Sequence, residues 1–238
     1  MKAVAYCATR NLYEPLAVAV YSLLHNTPSI DRAYLFLEDD EFPLLQDDRI
    51  KVLNVDHEHK YLRQTSPHYK SVFTYMALVR LTFTKYLPRV NKLLYLDVDT
   101  IVDRDISALW KIDLTDYAVA SVPELHHCLE QGKPYVNSGV SLFNLKYLRE
   151  HGLDDKMLEM INNGEKLAFC DQDAINIVCE NKIYFLDDTY NEIFNATKSS
   201  FTPHIVHYAG WHDWYSENCN IPRAEFYRKY KDMMGSCP

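Results

Sequence analysis

Runs of consecutive apolar residues that stop at polar side chains constrain the fold of this chain more than any other feature. Such runs cover residues 2–9, 33–37 and 50–55, and the second and third stop at acidic stretches. Because the apolar residues are consecutive rather than alternating, we interpret the runs as strands covered on both faces, as in a mostly parallel sheet. Further strands are predicted at residues 92–96, 118–122, 140–143, 183–186 and 205–208.

Helical patterns alternate with these strands. Apolar residues recur at helical spacing over residues 16–24 and 75–86, and further helices are predicted over 145–161 and 171–179. Strands that alternate with helices predict an α/β domain, whose ligand should bind where the parallel strands end. Because the composition shows no break or linker, we expect one domain over residues 1–238, with a short helical tail from about residue 222.

Charge and cysteine content narrow the class of protein. The 238 residues include 25 Lys and Arg against 33 Asp and Glu, which gives a net charge of −8. This balance argues against nucleic acid as a partner, because that affinity comes mostly from neutralisation of phosphates by basic residues. Six cysteines without C-x-x-C spacing, and a chain start without a signal-peptide pattern, predict a reduced cytoplasmic protein.

Two features of the sequence concern membranes. The longest apolar stretches, such as residues 15–24, are shorter than the roughly 20 residues that a membrane span requires, so no span is expected. The C-terminal segment 223–234 combines basic and aromatic residues and could make a weak peripheral contact with the anionic inner face of a membrane. A solvated terminal helix is the interpretation that we favour.

Asp97 and Asp99 follow directly on the predicted strand 92–96. Side chains alternate along an extended chain, so both carboxylates can face one divalent cation, which would keep positions open for phosphate oxygens. The spacing alone is a weak signal, since about one Asp-x-Asp is expected by chance in a chain of this size. Two more occur, at 103–105 and 171–173. Only the first ends an apolar strand, and we interpret 103–105 as a loop and helix cap.

Two polar segments later in the chain are candidates for contacts with a sugar. The small residues Ser138 and Gly139 let a ligand approach the backbone, and Asn137 can donate to and accept from hydroxyl groups. A plain turn into a strand is the alternative. Asp171 and Gln172 open a predicted helix, where they contact a sugar or, in the case of Asp171, only cap the helix.

His207 and Gly210 follow the short apolar run at residues 205–206. A neutral imidazole suits a transition-metal ion such as manganese, and a glycine three residues later lets the backbone approach a phosphate. Taken alone, a histidine in this position is more often a packed or surface residue.

These segments occur together and in order, and as a set they resemble the motifs of glycosyltransferase family 8, which includes bacterial lipopolysaccharide galactosyltransferases and glycogenin. Residues 8–13 resemble the nucleotide-binding loop of that family, and Arg80 matches a basic position near the donor. The resemblance covers roughly residues 2–215 and rests on four segments, residues 92–102, 137–145, 171–176 and 207–210.

The resemblance implies a Rossmann-like GT-A fold and a manganese ion, with magnesium as the alternative. It implies transfer of galactose or glucose from a UDP-hexose, with retention of configuration, to a glycan, glycolipid or glycoprotein acceptor. The implied metal ligands are Asp97, Asp99 and His207. The implied donor contacts are Ala8, Thr9 and Tyr13 at the uridine, Val98 at the ribose, Gly210 at the pyrophosphate, and Arg80, Asn137, Ser138, Asp171 and Gln172 at the sugar.

The chain departs from the family pattern at two places. The family continues after His-x-x-Gly to a Lys-Pro-Trp that clamps the diphosphate, whereas this chain continues through His212 without a lysine. Either a protonated His212 or a basic residue elsewhere substitutes for the lysine, or the affinity for the donor depends wholly on the metal. Thr9 stands where many bacterial members carry an acidic residue, although Thr9 and Tyr13 fit the glycogenin-like version of the loop.

Charge development predicts the mechanism. Negative charge builds on the leaving β-phosphate, and a bound cation stabilises it there. Gln172 is a weak nucleophile, and Asp171 can orient sugar hydroxyls or stabilise positive charge at the anomeric carbon. These two residues are therefore the catalytic candidates, and we expect same-face attack by the acceptor rather than a covalent intermediate. The missing lysine motivates an alternative, a non-catalytic sugar-nucleotide-binding or glycan-binding module. A nucleotidyltransferase is disfavoured because residues 8–11 contain no glycine.

Overall fold

The structure, a computed structural model, describes residues 1–193, 202–211 and 213–236. The strands in these ranges are β1 (Ala3–Ala8), β2 (Arg32–Leu37), β3 (Ile50–Asn54), β4 (Lys92–Leu96), β5 (Thr100–Val102), β6 (Val119–Pro123), β7 (Val136–Asn144), β8 (Ile183–Phe185), β9 (Glu192–Ile193) and β10 (Ile205–His207). The helices are α1 (Tyr13–Asn26), α2 (Thr74–Leu78), α3 (Phe83–Tyr86), α4 (Leu125–Gln131), α5 (Leu145–His151), α6 (Leu153–Asn163), α7 (Cys170–Val178) and α8 (Ala224–Gly235).

A seven-stranded sheet with the order β3-β2-β1-β4-β7-β6-β8 forms the centre of the fold. Strands β3, β2, β1 and β4 are parallel, and β7 runs antiparallel to both of its neighbours. The predicted α/β fold with a mostly parallel sheet is therefore confirmed. A second sheet, with the order β5-β10-β9, packs beside it.

The sheet separates two hydrophobic cores, which explains the consecutive apolar runs. Val4 and Tyr6 of β1 belong to the core that contains α1, whereas Ala3 and Ala5 belong to the core that contains α3, α6 and α7. All six residues of β1 are buried. Because alternate side chains enter different cores, every position of a central strand must be apolar.

Two predicted helical segments differ from the structure. The helix expected over residues 145–161 is divided into α5 and α6 by Gly152, whose φ of 62° lies in the left-handed region that favours glycine. The segment 79–82 between α2 and α3 is a 3-10 helix within the expected helix 75–86. Both breaks occur inside continuous apolar patterns, so the patterns did not reveal them.

The C-terminal helix α8 packs on the domain more closely than a solvated tail would. Tyr227 and Tyr230 are buried and belong to the core formed with α1. Lys229 pairs with Asp103 at 2.7 Å, and Lys231 pairs with Glu14 at 2.8 Å. The helix therefore turns its tyrosines into the protein rather than toward a membrane surface. Within the described ranges, no helix is long and apolar enough to cross a membrane.

The antiparallel direction of β7 brings the start of that strand to the end of β4. Leu96 pairs with Val140, and the backbone N–H of Asp97 donates to the carbonyl of Gly139 at 2.7 Å. Asn137, Ser138 and Gly139 thus lie inside β7 and not in a turn before it, which corrects the alternative considered for them.

Candidate active site

Asp97, Asp99 and His207 come together where β4, β5 and β10 meet. Thr100 of β5 pairs with His207 of β10, so the histidine lies opposite the turn that carries the two aspartates. One ligand atom from each of the three side chains lies within 4.8 Å of the others. His207 Nε2 is 3.2 Å from Asp99 Oδ1 and 3.8 Å from Asp97 Oδ2. Two carboxylates and an imidazole fit a divalent ion such as Mn²⁺.

The imidazole of His207 is held by an asparagine that the sequence patterns did not indicate. His207 is buried, and its Nδ1 lies 2.9 Å from Oδ1 of Asn191, while Asn191 Nδ2 donates to Asn137 Oδ1 at 3.0 Å. A carboxamide oxygen only accepts, so Nδ1 carries a proton, and Nε2, which faces the aspartates, can bind a metal ion when the ring is neutral. Asn191 therefore orients this ring as outer partners orient metal-binding histidines.

Gly139 provides the space in which these side chains meet. A Cβ atom at this position would lie 2.5 Å from Asp97 Oδ2 and 2.9 Å from His207 Nε2, and closer still to His207 Cε1. Its small size therefore makes room for the side chains of the candidate metal ligands rather than only for a ligand, as the sequence had suggested.

Gly139→Ala should weaken Mn²⁺ binding by about tenfold or more, because the new methyl group displaces His207 or Asp97. The affinity can be measured by titration calorimetry with MnCl₂ in the presence of UDP. Gly235→Ala is the matched control, since a Cβ atom there meets nothing within 4 Å. Equal Mn²⁺ affinity in the two variants would contradict this account of Gly139.

Arg80 links the metal-binding cluster to the predicted sugar site. Its guanidinium donates from Nη2 to Asp97 Oδ1 at 2.7 Å and lies with Nε 3.2 Å from Asp171 Oδ2. It also stacks over the ring of Tyr95, 4.1 Å from the ring centroid, and donates from Nη1 to the hydroxyl of Ser138 at 3.0 Å. The side chain is almost completely buried. The single guanidinium of Arg80 thus pairs with the carboxylates of both Asp97 and Asp171.

Burial and neighbouring charges shift the pKa values of these residues in opposite directions. Burial favours the neutral form of Asp97, but Arg80 and His207 outweigh it and lower the pKa of this carboxyl group. Burial raises the pKa of Asp171 to about 6, although Arg80 acts in the opposite direction. Burial also disfavours protonated His207, yet Asp99 and Asp97 raise the pKa of its ring. Removing any one charge will therefore alter the others.

The residues predicted to contact the sugar meet beside Arg80. Gln172 Oε1 accepts from the backbone N–H of Ser138 at 3.0 Å and from Asn137 Nδ2 at 3.3 Å. Ser138 donates from its hydroxyl to Asp171 Oδ2 at 3.3 Å. Asp171 thus faces the site, and Asp173 rather than Asp171 accepts the backbone N–H of Phe169 at the start of α7. The simple capping role considered for Asp171 does not describe its contacts.

Glu124 and Tyr135 complete this region, and the sequence patterns did not identify either of them. Gln172 Nε2 donates to Tyr135 Oη at 3.2 Å and to Glu124 Oε2 at 3.4 Å. Tyr135 is buried just before β7, and Glu124 follows β6. Their only signal is proximity in sequence to predicted strand ends, which many polar residues share.

The residues expected at the uridine lie at the carboxyl end of β1. Ala8 is buried there, and the hydroxyl of Thr9 donates to Asn11 Oδ1 at 2.6 Å. Tyr13 Oη accepts the backbone N–H of Glu38 at 2.9 Å, at the end of the neighbouring strand β2. The loop is therefore hydrogen-bonded to the carboxyl end of β2, beside the carboxyl end of β1, where a ligand was expected.

The remaining predicted contacts are Val98, Gly210 and His212. Val98, between the two aspartates, buries its side chain in the core. Gly210 is exposed and has a φ of 81°, a backbone conformation that side chains with a Cβ atom rarely adopt. His212 lies outside the described residues.

A second set of potential metal ligands, His126, His127 and Glu130, lies on α4. His126 and Glu130 are exposed, and His127 Nδ1 is already 2.8 Å from Glu124 Oε1. This cluster shares no residue with the turn after β4.

Comparison with known proteins gives a consistent set of relatives. The sequence model described as Glycosyl transferase family 8 matches residues 3–215. Glycosyltransferases GlyA and GlyF of Streptococcus pneumoniae are 28% and 27% identical to the chain over 87% and 98% of its length. Lipopolysaccharide glucosyltransferase WaaO of Escherichia coli is 29% identical over 54% of it. The chain covers 31%, 62% and 46% of these three proteins, less than two thirds of each.

Solved structures share the fold. Galactosyltransferase LgtC, in complex with donor and acceptor sugar analogues, superposes with a TM-score of 0.80 and 20% identity, over 99% of this chain and 97% of LgtC. Glycosyltransferase GlyE of Streptococcus pneumoniae superposes with a TM-score of 0.73 and 20% identity, over 97% of this chain and 60% of GlyE. At these identities the likeness shows a common architecture.

Proposed function

Since the chain belongs to glycosyltransferase family 8, we propose that it transfers a hexose, galactose or glucose, from a UDP-sugar to a carbohydrate-bearing acceptor with retention of configuration. Family membership and the GT-A fold shared with LgtC indicate glycosyl transfer. The donor, the divalent ion and the stereochemistry go beyond family membership and are part of this proposal. One observation carries the proposal. Arg80 contacts Asp97 of the Asp97, Asp99 and His207 cluster and also contacts Asp171, which stands next to Gln172 in the chain.

The metal-binding part of the proposal rests on the chemistry of the donor set. Asp97 and Asp99 are about one quarter exposed, whereas His207 is buried. An ion would therefore enter the site from solvent on the side of the two carboxylates. Asp97, Asp99 and His207 would hold Mn²⁺, with Mg²⁺ as the alternative, and the ion would neutralise the charge that builds on the leaving diphosphate. Because this chain has no lysine at the position of the family's diphosphate clamp, its affinity for the donor would depend mainly on this ion.

The chain's own residues favour same-face attack over a covalent intermediate. Both polar atoms of the Gln172 carboxamide have hydrogen-bond partners, which suits a group that orients a sugar rather than one that attacks it. Asp171 is paired with Arg80 and lies in the sugar region, where its carboxylate can accept from hydroxyls and stabilise positive charge. The acceptor hydroxyl would then attack on the face that the diphosphate leaves, and the diphosphate would take its proton.

Incubation with MnCl₂ and a panel of UDP-sugars, with and without glycan acceptors, should release UDP from one UDP-hexose above all others. We expect exhaustive chelation to abolish release and added Mn²⁺ to restore it, because the catalytic charge stabilisation is lost with the ion. His126→Ala should keep the same manganese dependence, since His126 lies outside the cluster. Turnover that survives chelation would contradict the metal assignment, and Mn²⁺-dependent UDP binding without turnover would favour a non-catalytic binding module.

The acceptor and the cellular location stay predictions. The proposed acceptor classes are a glycan, a glycolipid and a glycoprotein. The basic residues once considered for peripheral membrane contact already have partners within the protein. Arg228 donates to the carbonyl of Cys219 at 2.8 Å, and Lys229 and Lys231 form the ion pairs described above. These contacts give the membrane alternative no support from α8.

A further inference from the structure

The helix that carries Asp171 and Gln172 begins with a residue in an unusual conformation. Cys170, the first residue of α7, has a φ of 42°. A side chain with a Cβ atom in the left-handed region costs roughly 1–2 kcal/mol, so surrounding contacts must hold it there. Because Asp171 and Gln172 follow directly, the contacts of Cys170 also set the direction in which these two side chains leave the backbone.

Cys170 is held by a histidine from a distant loop. Its free thiol is buried, and Sγ lies 3.3 Å from Nδ1 of His68, whose Nε2 lies 2.7 Å from the carbonyl oxygen of Glu165. A carbonyl oxygen only accepts, so Nε2 carries the proton and donates to Glu165. In a neutral ring Nδ1 is then an acceptor, and the thiol of Cys170 is the donor that it faces. The hydroxyl of Ser71 is a second and more distant acceptor, 3.6 Å from Sγ, so the shorter contact of the thiol is the one to His68.

The loop that carries His68 is itself fixed to the end of α6. The hydroxyl of Ser66 donates to the carbonyl of Ile161 at 2.6 Å, and a Cβ atom at Gly164 would lie only 3.0 Å from Pro67 Cδ. His68 is buried between these contacts and α7. The imidazole therefore connects the first residue of α7 to a rigid support.

We propose that His68 and Cys170 form a positioning pair that holds Asp171 and Gln172 in the orientation required for sugar transfer. The proposal rests on the proposed function. Neither side chain touches the metal-binding cluster, and both act through the start of α7. Loss of the thiol–imidazole bond should let Cys170 relax toward an ordinary helical conformation and rotate the following carboxylate and carboxamide away from Arg80 and Ser138.

The test compares Cys170→Ala with Cys179→Ala. Both changes remove a buried thiol near an end of α7, but only the first removes a partner of His68. We expect Cys170→Ala and His68→Ala to lower kcat for UDP-hexose turnover by about tenfold or more, because small displacements of reacting groups have large kinetic effects. The affinity for UDP with MnCl₂ should change less than about twofold, and Cys170→Ser, which keeps a donor, should recover most of kcat. Wild-type kcat in Cys170→Ala, or a parallel loss of UDP affinity, would overturn the proposal.

Two readouts separate this proposal from the proposed function. Nitrogen-15 spectra of the imidazoles, assigned with His68→Ala, should show His68 with its proton on Nε2 in the wild type, and a proton on Nδ1 would overturn the pair. If the wild type binds UDP-glucose or UDP-galactose but turns over neither, the proposed function fails and affinity replaces rate as the measure. Cys170→Ala should then bind the UDP-hexose about threefold or more weakly relative to UDP, because only the sugar contacts are disturbed. Cys179→Ala should keep the wild-type ratio of the two Kd values. An unchanged ratio in Cys170→Ala would again overturn the proposal.

Discussion

Asp99→Asn should lower UDP release from the preferred UDP-hexose by about a thousandfold, because a lost metal ion removes several kcal/mol of charge stabilisation and each 1.36 kcal/mol is tenfold in rate. The carboxamide keeps the size of the side chain, but it lacks the negative charge that strengthens binding of a divalent ion. Asp99 Oδ1 lies 3.2 Å from His207 Nε2, so the change falls inside the cluster. Initial rates at saturating MnCl₂, together with Mn²⁺ affinity, measure the effect.

Asp103→Asn is the matched control for this change. Asp103 belongs to another Asp-x-Asp sequence, yet it faces α8 and accepts from Lys229 and Tyr230, each at 2.7 Å. Its replacement should lower stability by about 1 kcal/mol and leave the rate close to that of the wild type. Equal loss of activity in the two variants would show that the wrong aspartate pair had been assigned to the metal.

Arg80→Ala should destabilise the fold by about 3–5 kcal/mol at neutral pH, because it leaves the buried Asp171 and the partly exposed Asp97 without their shared cation. Urea denaturation in the presence of chelator measures the effect without a stabilising ion. Arg49→Ala is the control, since the ion pair of Arg49 with Asp47 is partly exposed and should be worth less than about 1 kcal/mol.

The deficit of Arg80→Ala should shrink as the pH falls toward about 6. The folded-state pKa of Asp171 is raised to about 6 by burial, above its unfolded value, so ionisation of this group costs stability as the pH rises. Arg80 acts to lower that pKa, and its removal raises the pKa further and increases the cost above pH 6. Below that range Asp171 is protonated in both proteins. A deficit that is equal at pH 5 and pH 7.5, or smaller than that of Arg49→Ala, would contradict the central role given to Arg80.

Central strands were predictable from sequence because burial on both faces leaves a strong signal. Strand β4 was predicted at its observed bounds, Lys92–Leu96, since alternate residues enter two different cores. Strands β5 and β9 were not predicted, because β5 begins only four residues after the end of β4 and β9 has only two residues. The break between α5 and α6 was missed because Leu148 and Met157, on either side of Gly152, are both buried and continue the apolar pattern.

The components of the site were predictable only where several polar residues stand together in the sequence. The segments around Asp97, Asn137 and Asp171 met this condition, and the resemblance to a family joined them with His207. Asn191 and Glu124 belong to none of the recognised motifs and lie next to β9 and β6, so only the folded chain brings them to His207 and Gln172. His68 belongs to the same class, because its partner Cys170 lies 102 positions away.

The antiparallel pairing of β5 with β10 has a consequence for the order in which the protein folds. His207 and Asp97 are 110 positions apart in the chain, and their contact depends on a three-residue strand pairing with another of the same length. Closing so long a loop is entropically unfavourable until the central sheet has formed, so this contact belongs to the late steps of folding. A metal ion bound there would act as a cross-link between the two ends of that loop, and refolding chains should recover their helical signal before they recover their affinity for manganese.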